Sequence, residues 1–134
     1  MWKQKRATLV LVLCALAATG CGATIQERIR SSALIAGETA LSIDSLEQSI
    51  AVSLTPEQRA KTNAAVLTML ECVRAYERAV RAWPTSMPSM PGSVWEAQSK
   101  AIAAIVACER VMADVPRTGK ILANLKKVRE GIGG

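Results

Sequence analysis

The sequence contains no histidine and no phenylalanine, and it holds only one tyrosine and three tryptophans in 134 residues. Absence of histidine removes the commonest general base, the commonest metal ligand and every Ser-His or Cys-His nucleophilic pair. A structural zinc site needs about four Cys or His ligands, so neither a metal nor a cofactor is expected. Carboxylates remain, but Glu71, Glu77, Glu96 and Glu109 occupy positions suited to exposed helical ion pairs, as Glu77 is to Arg81 four residues on. The Gly-Lys in Arg117-Thr118-Gly119-Lys120 lacks the earlier glycine of a phosphate loop and is followed by Ile121 where a Ser or Thr is required. No catalytic residues are assigned, and the chain is read as non-enzymatic.

Strong charge of one sign is also missing. The formal net charge is +6, but Lys3, Lys5 and Arg6 precede an apolar run, and removing them from 17 basic residues leaves 14 against 11 acidic ones. Those charges alternate along the chain instead of gathering into a basic block, so nucleic acid is not an expected partner. With aromatics at 3% and hydrophobic residues at 50%, the core must be built from Ala, Val, Leu, Ile and Met. Such side chains suit closely packed helices better than a β-sandwich. An all-α fold follows, a small helical hairpin or three- to four-helix bundle in one domain.

The longest apolar run, Ala7 to Ala18, is well short of the roughly 20 residues that a helix needs to cross a bilayer. With the cationic start before it and the small residues after it, it has the three parts of a secretory signal. The segment ends in Ala18-Thr19-Gly20-Cys21, which resembles the lipobox of bacterial lipoprotein precursors. The resemblance implies diacylation of Cys21, cleavage between Gly20 and Cys21, a signal peptide over 1–20 and a lipid-anchored domain over 21–134. Ala18 stands where Leu is commonest in that motif. Cys14 is a poorer acceptor, being preceded by Leu13 and followed by more of the apolar run. By resemblance to lipoprotein sorting, Gly22, in place of an Asp, directs the protein to the outer membrane, facing the periplasm. Its partners are then the membrane, through the acyl chains, and a protein of the envelope.

Two cysteines remain, Cys72 and Cys108. An even pair in an oxidising compartment predicts a disulfide, which would close a loop of about 37 residues and stabilise the fold by roughly 3 to 4 kcal/mol. The alternative is that both are buried thiols packed as small hydrophobes.

Periodicity predicts four helices. The first, about 24–54, carries Ile29, Ile35, Leu41, Ile43, Leu46, Ile50 and Leu54, with Gly37 as a weak point. The second, about 56–82, opens with Thr55-Pro56-Glu57-Gln58, a capping threonine followed by proline and a glutamine three residues on. Three prolines and a glycine make 84–92 a loop. The third helix, about 94–114, is expected to start at a Ser93-to-Glu96 capping box and to turn Ala101, Ile105, Cys108 and Met112 inward. The fourth, about 119–130, buries Ile121, Leu125 and Val128 before a glycine-rich tail expected to fray.

Trp83, Met87, Met90 and Trp95 surround the proline-rich loop. They form either a contact surface for a partner or a cap on the core. A lipid anchor and no active site point to an interaction or structural protein of the envelope. In size and architecture the chain resembles the pilotins of secretion systems, lipoproteins that carry a secretin subunit to the outer membrane. In its anchor and its Ala- and Arg-rich composition it resembles small phage-encoded lipoproteins, among them outer spanins acting in lysis, although those spread proline through the mature chain. An exclusion or inhibitor lipoprotein, using the Trp and Met loop, is the other expectation.

Overall fold

The computed structural model describes residues 24–133; the signal segment and Cys21 lie outside the described residues. Four helices make up the domain: α1 Ile25–Ala51, α2 Pro56–Ala82, α3 Gly92–Ala113 and α4 Gly119–Gly133. Each packs on two neighbours, α1 on α2 and α4, and α3 on α2 and α4, while the diagonal pairs do not meet. Connections of at most nine residues, too short to run back along a helix, make successive helices antiparallel, which gives an up-down-up-down four-helix bundle among the described residues.

The helix starts follow from local chemistry. Thr24 and Glu27 form a reciprocal capping box for α1, and Thr55 and Gln58 form one for α2. α3 departs from expectation. It begins at Gly92 with Pro91 as its cap and no side-chain cap bond, because proline has no side-chain acceptor; the Pro91 carbonyl accepts from the amides of Val94 and Trp95. Glu96, no longer needed for a box, pairs with Lys100. α4 extends to Gly133 where fraying was expected, because Ile132 is buried and its carbonyl accepts from the Gln98 amide at 2.7 Å.

α1 shows the largest revision. Its buried face is Ala33, Ala36, Gly37, Ala40, Ile43 and Glu47, a stripe of mostly small side chains, whereas Ile35 and Leu41 are exposed. α1 ends at Ala51, and Leu54 is buried from the following turn. The helix runs unbroken through Gly37. A Cβ there would sit 2.5 Å from Oε2 of Glu77, so glycine leaves room for the Glu77 carboxylate, which accepts from Arg81 at 2.7 Å.

Val66, Met69, Val73, Tyr76 and Val80 from α2 join Val94, Ala101, Ile105, Cys108 and Met112 from α3 and Ile121, Leu125, Val128 and Ile132 from α4 in one core. Burial of Tyr76 raises its phenol above the usual range.

Candidate functional site

The antiparallel topology gives the bundle two ends. One holds the start of α1, the α2–α3 loop and the end of α4; the other holds the α1–α2 turn and the α3–α4 turn.

At the first end, Trp83 organises the structure. Its ring is 2% exposed and its indole N–H donates to the Met87 carbonyl at 2.8 Å. The Trp83 carbonyl accepts from the Arg30 guanidinium at 2.6 Å and from the Gln26 amide at 3.1 Å, and Gln26 also donates to the Pro84 carbonyl. A cation thus meets the free carbonyls at the C-terminus of α2, where the helix dipole favours it. The first two turns of α1 are thereby clamped to the proline-rich loop.

This divides the Trp and Met residues. Trp83 is core, which removes it from any contact surface, and Met90 is half-buried against the core. Met87, 42% exposed, and Trp95, 58% exposed, face solvent, as does Ile25 at 75%.

The predicted disulfide is absent, and both Cys72 and Cys108 are free thiols. Register explains the separation. Counted from the loop between them, Cys108 is the seventeenth residue of α3 and Val66 the seventeenth from the end of α2. Cys108 is then level with Val66, and Cys72 lies about 9 Å farther along the axis, too far for the Cα separation of about 4.4 to 6.8 Å that a disulfide requires. Cys108 is fully buried, and desolvation, with smaller contributions from Glu109 and Glu47, pushes its thiol up to about 12.

The second end is polar. Glu47, 2% exposed, accepts from the Thr62 hydroxyl at 3.1 Å. The available sequence signal was phase: Glu47 follows Ala40 and Ile43 at helical spacing on the buried stripe. Arg59 donates to the Ala51 and Leu54 carbonyls, closing the α1–α2 turn. In the α3–α4 turn Arg117 holds a left-handed φ of 66°, and the buried Thr118 hydroxyl donates to the Met112 or Val115 carbonyl. Between α2 and α3 lies an open cleft of about 600 Å³ lined by Thr55, Glu57, Gln58, Lys61, Arg110, Val111, Asp114 and Val115.

The carboxylates singled out in the sequence are spent on ion pairs: Glu77 with Arg81, Glu96 with Lys100 and Glu109 with Arg129 at 2.7 Å. Glu71 sits exposed on α2. Among the described residues no group of three or more His, Cys, Asp or Glu side chains is placed to hold a metal ion, and no helix is long and apolar enough to cross a membrane. Comparison with known protein families, with curated proteins and with solved structures finds no match for this chain.

Proposed function

We propose that the chain is a lipid-tethered protein of the bacterial envelope, held in the outer membrane, facing the periplasm, that holds or recognises another envelope component and performs no chemistry of its own. The observation that carries this reading is the lipobox-like Ala18-Thr19-Gly20-Cys21, which ends three residues before the capping threonine of α1. Acyl chains on Cys21, each gaining about 0.8 kcal/mol per buried CH₂, would anchor the chain more firmly than a single chain can. The bundle, about 40 Å long by the rise of α1, would project the polar cleft between α2 and α3 away from the anchor.

Of the specific forms, an assembly factor resembling the pilotins agrees best with a mature chain whose prolines fall in loops or at a helix start (Pro56, Pro84, Pro88, Pro91 and Pro116). An outer spanin would spread them along the chain.

The test is membrane separation of wild type and Cys21→Ala expressed in a Gram-negative cell. Wild type should sediment with the outer membrane and Cys21→Ala should appear in the soluble periplasm. Equal membrane association of both would overturn the lipid-tether reading.

A further inference from the structure

We infer that the bundle stands end-on against the bilayer that holds its lipid, with Trp95, Met87 and Ile25 seated among the headgroups. This inference rests on the lipid-anchor reading. Its first support is the length of the tether. Only Gly22 and Ala23 separate the acylated Cys21 from Thr24, and the three residue steps between them span at most about 10 Å. The end of the bundle that begins at Thr24 therefore cannot leave the membrane surface by more than about the thickness of a headgroup layer.

The second support is what that end displays. Ile25 is in the first turn of α1, Met87 in the α2–α3 loop and Trp95 in the first turn of α3. All three are exposed, although Trp83, Met90 and Val94 beside them are covered. Among the described residues the opposite end exposes Val52 as its one large apolar side chain, and around its cleft it presents charged and polar groups. A tryptophan with an apolar body and one N–H donor is the side chain most at home at a membrane–water interface.

The third support is rigidity. Because Gln26 and Arg30 tie α1 to the Trp83 and Pro84 carbonyls, the anchor cannot pull α1 away from the loop. Holding Cys21 at the surface therefore holds Met87 and Trp95 there too. Nor does charge oppose the approach: Arg28 and Arg30 accompany Glu27 in the first turns of α1, and Glu96 is neutralised by Lys100. Trp95 and Met87 then meet lipid, while Trp83 and Met90 stay in the core, and a protein partner engages the bundle elsewhere.

The experiment uses mature protein purified from membranes and reconstituted into phosphatidylethanolamine–phosphatidylglycerol vesicles, with or without lipids brominated near the headgroup. Flotation is measured first. Trp95 emission is then obtained by subtracting Trp95→Phe, which retains Trp83. Brominated lipid should lower Trp95 emission, as expected of a ring at the membrane–water interface, and should leave Trp83 unchanged. Ile25→Glu combined with Met87→Glu should lessen the quenching while flotation persists. Protein that floats but whose Trp95 is unquenched overturns the end-on contact and leaves the anchor intact. Protein that fails to float with any vesicle overturns the anchor and the contact together.

Discussion

The two ends of the bundle solve the same problem, closing a chain reversal between antiparallel helices, by opposite means. At the proximal end, where α1 begins, the α2–α3 connection is long and proline-rich, and it is stitched by one buried tryptophan whose carbonyl collects Gln26 and Arg30. At the distal end two short turns are closed by polar side chains: Arg59 on the Ala51 and Leu54 carbonyls, Thr118 beneath the α3–α4 turn, and Glu47 against Thr62. The first solution leaves apolar side chains over to face outward; the second leaves a charged cleft. Under the lipid-tether reading proposed above, this asymmetry makes one end compatible with lipid and the other with water or a partner.

The sharpest break in this comparison separates the two tryptophans. Trp83→Ala should cost about 3 to 5 kcal/mol, since it empties a core site and releases the loop, whereas Trp95→Ala should fall within about 0.5 kcal/mol of wild type when measured without a membrane. Urea unfolding followed by circular dichroism measures both. Similar losses would mean that the proximal end is not organised as described.

At the distal end, Thr62→Val should cost about 1 to 3 kcal/mol by leaving the Glu47 carboxylate buried without its hydroxyl partner. The double change Glu47→Leu, Thr62→Val should recover most of that loss. A double variant as unstable as the single one would show that the pair does not act as a unit.

Cys108 adds a pH signature. Its thiol ordinarily titrates at 9.0 and is held up to about 12 in the fold, so between those values the unfolded chain has lost a proton that the native state retains. Stability from this group is intact below pH 9 and declines as pH rises toward 12. In Cys108→Ala that part of the alkaline decline should vanish. At pH 8, alkylation of native protein should modify the half-buried Cys72 more than about tenfold faster than Cys108. Equal rates would mean that the α2–α3 seam opens readily.

The smallest expected effect is a gain. Arg117→Gly should stabilise by roughly 1 kcal/mol, because φ of 66° strains any side chain with a Cβ and suits glycine. A loss in thermal unfolding would indicate that the Arg117 side chain contributes more than its backbone costs.

The helical class and the start of α2 were legible in the sequence, since Thr55-Pro56-Glu57-Gln58 carries a local capping signal that tertiary packing did not override. The inward face of α3 was legible too, because Ala101, Ile105, Cys108 and Met112 recur in phase. α1 was misread where large side chains were followed as the marker of burial. Close approach of helices selects alanine and glycine instead, so Ala33, Ala36, Gly37 and Ala40 line the core and Ile35 and Leu41 do not. The cysteine pairing failed for a related reason. Parity and compartment say that two thiols are available, while only the register of α2 against α3 says whether they meet. At the candidate contact loop, residue types identified the cluster, but which of two tryptophans turned inward depended on the Met87 carbonyl that Trp83 reaches.

The most direct test of the lipid-tethered account is the intact mass of the protein extracted from membranes of an expressing Gram-negative cell, alkylated without prior reduction. The account predicts residues 21–134 plus two or three acyl chains, with both Cys72 and Cys108 taking up the reagent once the protein is unfolded. An unacylated chain that retains residues 1–20 would contradict it.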